Sequence, residues 1–589
     1  MKKTILLTLS AFALLALSGC TVSGATPSSE GNSEPHGSAY DYNSSISIDE
    51  PTPISVSENE GDFAIETTDG TYTQSGSVYT ITAAGTYTLS GSLSGQILVE
   101  AGEEDEVILE LNGATISYDA DSPIKALSAG KVEISAKKGT GNTIVDARSA
   151  KSVDIESQGE AAIYAKCDLK LKGSGTLVVE GGYNNAVAST KDLTIQKLSL
   201  SATGYNNALK GNSSVTITSG EVQAYAKTGN GIKTEDSDLS SKGKQRGTIA
   251  ISGGTVYVDS LHDGLDAAYN VEVSQEDETV ATTLSVKTGT YASYYSKSTF
   301  KADSEKGLKA ANEILINGGT LGIAASDDAI HANYGDTLGT GEKGAGDVTI
   351  NDGLIQIASG DDGVHADRYL NINGGKVVVT GAHEGFEGNY ITIAGGYSYV
   401  YGTDDGVNAA NKTFSTHYFK MSGGYLDIAI SGNDVDGIDS NGDFTLSGGT
   451  IVTRGAPGTT LDQMSTGLDV DGTCSMTGGT LIAFNGLEVT PTTSSAIYVA
   501  STQSASGGGQ QPWGRPGPSG GGSASSITLS AGEYTLTGDG LSVSFTNDFT
   551  YGSFAIYSSS IVSGSSYTLS RAGSSVLSWT QSARTVTIS

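Results

Sequence analysis

The sequence predicts an all-β protein, and within that class a parallel β-helix with about 22 residues in each coil. The first observation is a recurring motif of polar residues, a small residue and an aliphatic residue, as in NNALK, DDAIHA, DDGVHA and HEGFEG. The second is a Gly-Gly pair eleven residues after the small residue, so that Gly363 is followed by Gly374 and Gly375. The third is period-two alternation around that pair, as in LNINGGKVVV, which is typical of strand, tight corner and strand.

We call the small residue of each motif the anchor. The anchors are Ala162, Ala186, Ala208, Gly231, Gly264, Gly307, Ala329, Gly363, Gly385, Gly406, Gly437 and Gly467. Where no insertion intervenes the spacing is nearly constant, and it is 22 residues from Gly363 to Gly385. Such a period predicts stacked coils, in which residues one repeat apart become neighbours across about 4.8 Å. A β-propeller is a weaker alternative, because its repeat is about twice as long.

The chain divides into five predicted regions. Residues 1–20 resemble a lipoprotein signal peptide, with Lys2 and Lys3 before an apolar stretch and LSGC ending at Cys20. This predicts export and lipid attachment at Cys20, with an ordinary secretory signal as the alternative. Residues 21–61 are predicted to be a disordered tether, and residues 62–500 the β-helix with N-terminal cap coils. Residues 501–526 are a Gly-, Pro- and Ser-rich loop, and residues 527–589 a β-rich cap.

The charge of the chain limits its partners. It has 65 acidic and 33 basic residues, for a formal net charge of −32. Such a negative field repels phosphate backbones, so we expect no nucleic acid partner. Cations and neutral solutes are favoured instead.

Acidic residues recur beside the anchors, and stacked coils would align them in columns. The residues predicted to bind metal are Asp263, Asp266, Asp327, Asp328, Asp361, Asp362, Glu384, Glu387, Asp404, Asp405, Asp436 and Asp439. Carboxylates about 4.8 Å apart repel by roughly 3 kcal/mol at an effective dielectric of 20, so a sheltered column favours a bound cation. Calcium suits it, because Ca²⁺ takes six to eight oxygen ligands in flexible geometry. The alternative is a solvated acidic face without metal.

Three further sets of residues are weaker candidates. Lys233 and Lys309 each lie two residues after an anchor. They could act as bases in a lyase that removes a proton α to a uronate carboxyl group. The alternative is that alternating charges only neutralise the column. His331 and His365 fall at equivalent positions and are interpreted as ordinary surface histidines, with a metal-binding or catalytic role as the alternative.

Tyrosine side chains are the candidate sugar contacts. The YSYVY stretch places Tyr397, Tyr399 and Tyr401 on one face of a strand, and Tyr294 lies in the longest insertion. Their rings could stack on sugar faces, although β-rich packing explains most tyrosines equally well.

Several stretches together resemble one known family. GTYTLSGSLSGQILVE, VILELNGATIS, GTGNTIVDA and the repeated coils ending in INGG are similar to clostridial cell-surface carbohydrate-binding β-helix proteins. The resemblance covers about residues 62–490 and the C-terminal FAIYSSSIVSGSSYTLS. It implies a right-handed parallel β-helix like that of polysaccharide lyases, bound Ca²⁺, and affinity for cellulose and acidic pectic sugars without established catalysis.

The sequence therefore predicts an extracellular, membrane-anchored, calcium-binding monomer that binds polysaccharide, such as cellulose or a pectic or other uronate-containing glycan, without catalysis. A calcium-dependent pectate-type lyase is the first alternative. A structural surface adhesin or stalk is the second.

Overall fold

The computed structural model describes residues 48–57, 59, 61–149, 160–275, 279–289, 304–410, 414–456, 461, 465–489, 491, 498–501, 529–547, 554–583 and 585–587. The chain divides into Met1–Ser38 and Ala39–Ser589, and every described residue lies in the second unit. The predicted signal peptide with Cys20, most of the tether, Tyr294 and residues 502–526 of the predicted loop lie outside the described residues.

The protein is all-β, as the sequence predicts. The described part of the chain forms 48 strands and no helix. Within that part, therefore, no helix has the length and apolar character needed to span a membrane. The high content of Gly, Ser, Thr and β-branched residues explains this, because such residues favour strands and turns over helices.

The strands of the first half are β1 (Ala64–Thr67), β2 (Tyr72–Ser75), β3 (Val78–Ile81), β4 (Gly85–Ser94), β5 (Gln96–Glu100), β6 (Glu106–Tyr118), β7 (Ile124–Ser128), β8 (Lys131–Ala136), β9 (Gly141–Asp146), β10 (Ala161–Ala165), β11 (Asp168–Gly173), β12 (Thr176–Gly181), β13 (Asn185–Ser189), β14 (Asp192–Gln196), β15 (Leu198–Gly204), β16 (Leu209–Gly211), β17 (Ser214–Ile217), β18 (Gly220–Ala226), β19 (Ile232–Lys233), β20 (Thr248–Ile251), β21 (Gly254–Ser260), β22 (Leu265–Ala267), β23 (Asn270–Val273) and β24 (Thr282–Thr288). Those of the second half are β25 (Leu308–Ala310), β26 (Glu313–Ala325), β27 (Ile330–Ala332), β28 (Tyr334–Thr337), β29 (Lys343–Ala345), β30 (Asp347–Ser359), β31 (Val364–Ile372), β32 (Lys376–Val379), β33 (Phe386–Ile393), β34 (Tyr397–Gly402), β35 (Val407–Ala409), β36 (Tyr418–Met421), β37 (Tyr425–Ile430), β38 (Ile438–Ser440), β39 (Asp443–Gly455), β40 (Asp469–Val470), β41 (Cys474–Phe484), β42 (Tyr498–Ser501), β43 (Gly532–Gly538), β44 (Leu541–Asn547), β45 (Phe554–Ser558), β46 (Ser566–Arg571), β47 (Ser574–Thr580) and β48 (Thr585–Thr587).

Forty-two of the strands belong to one sheet, and its pairing is mostly parallel. From β7 to β23 each strand pairs with the strand three places further along the chain, so the backbone returns to the same ladder after every third strand. The anchor ladder contains the strands that follow the anchors, and it runs through β7, β10, β13, β16, β19, β22, β25, β27, β31, β33, β35, β38 and β40. Long strands such as β26 and β30 pass through a corner and extend the other two ladders together.

The register of the anchor ladder matches the sequence repeat. Ile330 pairs with Val364, and Val364 pairs with Phe386, so each aliphatic residue after an anchor stacks on the next. These side chains are fully buried and join one apolar core that extends from Ile81 to Tyr557. The anchors must be small because the next repeat lies close: a Cβ on Gly385 would lie 1.7 Å from Val400 Cγ1.

The two ends of the sheet differ from its middle. At the first repeats β1 pairs antiparallel with β4, and at the last β45 pairs antiparallel with β41. A separate four-stranded antiparallel sheet, β44-β43-β46-β47, follows and contributes to a second core that includes Trp579. Antiparallel strands at both ends cover sheet edges that would otherwise present unpaired backbone groups.

Candidate functional site

Two columns of polar side chains flank the anchors. The pre-anchor column consists of Asn185, Asn207, Asn230, Asp263, Lys306, Asp328, Asp362, Glu384, Asp405, Asp436 and Thr466. The post-anchor column consists of Lys210, Lys233, Asp266, Lys309, His331, His365, Glu387, Asn408, Asp439 and Asp469, which are successive ladder partners. The vertical alignment predicted from the repeat is therefore confirmed.

The pre-anchor column forms a chain of side-chain to backbone hydrogen bonds. The Asn230 backbone N–H donates to Asn207 Oδ1 at 2.9 Å, and the Asp263 N–H donates to Asn230 Oδ1 at 3.0 Å. The same bond recurs from the Asp436 N–H to Asp405 Oδ1 at 2.7 Å. A single acceptor oxygen satisfies each buried N–H, so either Asn or Asp can fill the position.

The lower segment of the site, around Asp263 and Asp266, pairs its acids with lysines. Lys233 Nζ lies 2.7 Å from Asp266 Oδ2, and Lys309 Nζ lies 3.2 Å from Asp263 Oδ2. Burial lowers the pKa of Lys309, but the charges of Asp263 and Asp266 outweigh it and raise this pKa overall. A lysine held protonated in this way is a poor general base. This arrangement favours charge neutralisation over catalysis at these positions.

The middle segment, around Asp327, Asp328 and Asp362, contains a partly buried cation, Lys306, and two histidines. Lys306 Nζ lies 3.1 Å from Asp327 Oδ1 and also contacts Asp328 Oδ2. His331 Nδ1 lies 2.6 Å from Asp328 Oδ2. Burial raises the pKa of Asp328, but the charges of Lys306 and His331 outweigh it and hold this pKa well below its ordinary value. Asp327 and Asp328 thus already have positive partners.

The two histidine rings stack at a centroid distance of 4.2 Å, with an angle of 6° between their planes. His365 Nδ1 lies 2.9 Å from Asp362 Oδ2 and 3.1 Å from Glu387 Oε2. Its Nε2 lies 3.2 Å from Asp367, which also lies 3.4 Å from His331 Nε2. Burial lowers the pKa of His365, but bonds to Asp362 and Asp367 and the charge of Glu387 raise it well above its ordinary value.

The histidines and Asp367 differ from the sequence interpretation in a defined way. His365 is buried, with 7% of its surface exposed, so it is not an ordinary surface histidine. Asp367 was not among the predicted site residues, because it lies four residues beyond its anchor, where only one other repeat has an aspartate, Asp471 after Gly467. The only available signal was its position two residues after His365, on the same side of a strand.

Five groups of side chains in the middle segment could each hold a metal ion, because their ligand atoms lie within 4.8 Å of one another. The groups are Asp328, His331 and His365; Asp361, Asp362 and His383; Asp362, His365 and Glu387; His383, Glu384 and Asp404; and Asp327, Asp328 and Asp361. Four of them include a histidine nitrogen, a donor that suits transition ions better than calcium. Only the last is composed of oxygen ligands alone, and it contacts Lys306.

The upper segment contains carboxylates without a basic partner. Among the described residues, Asp405, Asp436 and Asp439 form no ion pair. Burial and the charges of neighbouring aspartates raise the pKa of Asp405 to about 9, of Asp439 to about 7 and of Asp436 to about 6. These three side chains are only partly buried, so water or an ion can reach them.

Asn408 adds an unsatisfied acceptor to the upper segment. Its Nδ2 donates to Glu384 Oε1 at 2.7 Å, while its buried Oδ1 accepts no hydrogen bond from any described residue. Asn408 pairs in the anchor ladder with Asp439. A buried acceptor next to raised-pKa carboxylates indicates a place that is short of positive charge.

The predicted sugar-contacting tyrosines pack together. Tyr397 and Tyr401 are partly buried around Tyr399, in a small cluster that also contains Val378 and Ala429. They share one face of β34, as the alternation predicts. Tyr399 is only 2% exposed, which leaves little of its ring available to a ligand.

These features define the protein as an all-β protein with two columns of polar and charged side chains beside one strand ladder. A family model described as carbohydrate-binding domain-containing protein matches residues 75–363 and again residues 362–482, which together make up more than half of the chain. The chain therefore belongs to this family.

Two individual similarities were found. A carbohydrate-binding domain-containing protein from Acetivibrio thermocellus is 32% identical over 195 residues, which make up 33% of this chain and 62% of that relative. The chain thus spans less than two thirds of the length of the relative. A solved structure of the polysaccharide lyase-like protein from C. thermocellum, a gadolinium derivative, is 32% identical and covers 38% of this chain and 86% of the other, with a TM-score of 0.34.

Proposed function

We propose that the protein is a surface-anchored, calcium-binding protein that binds uronate-containing polysaccharide without catalysis. Membership of the carbohydrate-binding family supports the polysaccharide partner. The observation that carries the calcium part is the upper segment, where burial and neighbouring aspartates raise the pKa of Asp405, Asp436 and Asp439 and none of the three has a basic partner among the described residues. The repeating parallel ladders support a right-handed parallel β-helix as the architecture.

The donor sets differ in how well they fit calcium. Asp405, Asp436, Asp439 and Asn408 offer oxygen atoms alone, which are the ligands that Ca²⁺ takes. Asp263 and Asp266 do not fit, because lysine ammonium groups already occupy their surroundings. The calcium proposal therefore leaves out Asp263 and Asp266 and centres on the upper segment.

The same residues explain how a negative protein holds a negative polymer. Bound calcium would supply positive charge and free coordination positions for a uronate carboxylate. The aspartates hold the ion, and Asn408 contributes its buried Oδ1 as a neutral ligand. No basic patch is then required, which agrees with a formal net charge of −32.

Affinity electrophoresis tests this proposal. The protein is run through gels containing polygalacturonate, cellulose or no polymer, with calcium or with chelator. We expect polygalacturonate to retard the protein only in calcium, and Asp436→Asn with Asp439→Asn to abolish the retardation. Asp266→Asn is the matched control, because that aspartate is paired with Lys233. Equal mobility of the wild-type protein in all gels would contradict polysaccharide binding.

The same mixtures address the lyase alternative, whose specific support is the lysine pair at positions 233 and 309. Eliminative cleavage produces an unsaturated sugar that absorbs in the ultraviolet. We expect no rise in absorbance, because the raised pKa of Lys309 keeps its amine protonated. An absorbance rise that Lys309→Ala removes would favour the lyase instead.

A further inference from the structure

A group of aromatic side chains lies outside the apolar cores. Tyr369, Tyr390 and Tyr418 lie above one another in consecutive repeats, with ring centroids 4.9 Å and 5.1 Å apart and ring planes tilted by 31° and 40°. Phe414 contacts Tyr390 at 5.6 Å and Tyr334 at 4.9 Å. We call these five residues the aromatic patch. None of its members belongs to a hydrophobic core of the described residues, and Tyr369 is 36% exposed.

The alternation of strands explains why the three stacked tyrosines face outward. In β31, β33 and β36 the residue after each tyrosine is a buried Leu370, Ile391 or Phe419, so the tyrosine points to the opposite face. Ladder pairing then aligns Tyr369 with Tyr390 and Tyr390 with Tyr418. Each tyrosine also comes five residues before a Gly-Gly pair, a pattern readable in the sequence.

Two insertions converge on this surface from different repeats. Tyr334 begins the hairpin of β28 and β29, and Phe414 lies in the segment before β36. Neither insertion is needed to continue the ladders. Insertions that gather on one face of a repeat protein commonly form its binding surface.

Cationic side chains lie over the stacked rings. Lys420 Nζ is 3.5 Å from the centroid of Tyr418, and the Arg368 guanidinium is 5.0 Å from that of Tyr369. Arg368 is bonded to Asp347 at 2.7 Å and 2.6 Å, whereas Lys420 is exposed and forms no ion pair with any described residue. The free charge of the patch is thus positive, in a protein whose net charge is −32.

We infer that the aromatic patch, with Lys420, is a carbohydrate subsite that binds uronate-containing polysaccharide, an inference that rests on the proposed function. Pyranose rings pack against the exposed Tyr369 and the solvent-accessible parts of the partly buried Tyr390 and Tyr418, and the Lys420 ammonium attracts a uronate carboxylate. Tyr390 comes three residues after Glu387 on β33, which places the patch within roughly 10 Å of the post-anchor column at 3.3 Å per residue. One extended polymer can reach both.

Calorimetric titration with oligogalacturonate in excess calcium tests the subsite. We expect Tyr390→Ala to raise Kd about fivefold or more, and Lys420→Ala to raise it about threefold, because an aromatic contact and an exposed charge contribute on this scale. Tyr205→Ala is the matched control, since Tyr205 is 37% exposed and lies in a different repeat, and its Kd should equal that of the wild type. Calcium binding should be the same in all three variants.

The outcomes separate the two claims. Wild-type affinity in Tyr390→Ala would overturn the subsite and leave the proposed function standing, whereas no binding by the wild type would overturn both. Tyr390→Phe, which retains the ring, should bind nearly as tightly as the wild type. Comparing the thermal unfolding of Tyr390→Phe and Tyr390→Ala shows whether a loss of binding in Tyr390→Ala is caused by misfolding. If Lys420→Ala weakens binding of a neutral cello-oligosaccharide as much as that of oligogalacturonate, the assignment to uronates is wrong.

Discussion

The lower and upper parts of the pre-anchor column perform the same structural task with different chemistry. Asn207 accepts the backbone N–H of the next repeat at 2.9 Å, and Asp405 accepts the equivalent N–H at 2.7 Å. The neutral amide is therefore sufficient for the fold. Burial and neighbouring aspartates oppose the ionisation of Asp405 and raise the pKa of this carboxyl group to about 9. A carboxyl group at a position where the fold needs only a neutral acceptor, and whose ionisation is unfavourable without a cation, indicates a ligand.

The middle segment shows how the protein neutralises such charge when no ligand is required. Lys306 places its ammonium group between Asp327 and Asp328, and the pKa of Asp328 falls well below its ordinary value despite burial. The upper acids have no such cation among the described residues.

Removing the Lys306 cation should have the largest effect. Lys306→Met leaves the buried Asp327 without its cation and the buried Asp328 with His331 alone, and we expect a loss of about 3 kcal/mol in the free energy of unfolding, measured in chelator by chemical denaturation. Calcium should restore part of the loss, because the variant then resembles the upper segment. A variant as stable as the wild type would show that Lys306 contributes no net stabilisation.

A substitution among the asparagines of the pre-anchor column should have the next largest effect on the free energy of unfolding. Asn207→Ala removes the acceptor for the Asn230 N–H and the donor to Asn185 Oδ1, so we expect a loss of about 1–3 kcal/mol. Calcium should not restore this loss, which distinguishes the variant from Lys306→Met. Asn212→Ala is a suitable control, because its side chain forms no hydrogen bond with the described residues.

Replacing aspartates of the upper segment with asparagine, the residue at the pre-anchor positions 185, 207 and 230, should raise the stability instead of lowering it. In chelator, Asp405→Asn with Asp436→Asn should raise the free energy of unfolding by about 1 kcal/mol, because it relieves repulsion and keeps the acceptor oxygens. Calcium should no longer raise the melting temperature of this variant. Asp266→Asn, which loses its pairing with Lys233, should be less stable than the wild type.

The extent to which sequence predicted these features depends on the range of the interactions. The ladder register and the vertical alignment follow from the repeat, since His331 and His365 have equivalent positions and pair as expected. The repeat does not predict which acids have a basic partner. Lys306 contacts Asp327 of the next repeat, and residue spacing does not determine the direction of a lysine side chain. The aromatic patch depends on insertions that bring Tyr334 and Phe414 together, and no local pattern links them.

The all-β class is confirmed, while the handedness, the calcium sites, the lipid anchor and the preferred glycan stay predictions. The tyrosine alternation in YSYVY correctly placed three rings on one face. It did not reveal that residues of neighbouring strands, such as Ala429, cover Tyr399. Period-two alternation tells which side a residue takes, but not what packs on that side.

The pH dependence of stability should show the smallest effect, and its sign separates the two halves of the column. The folded pKa of Asp405, about 9, is above the unfolded value of about 3.9, so between these pH values the native state binds more protons than the unfolded state. The contribution of Asp405 therefore falls as pH rises through this window. In chelator, the wild type should lose stability relative to Asp405→Asn from pH 5 to pH 9, by less than about 1 kcal/mol over the whole range because solvent screens a partly exposed group. A difference between the two proteins that does not change with pH would mean that Asp405 is ionised throughout, and its repulsion would then be too weak to require a cation.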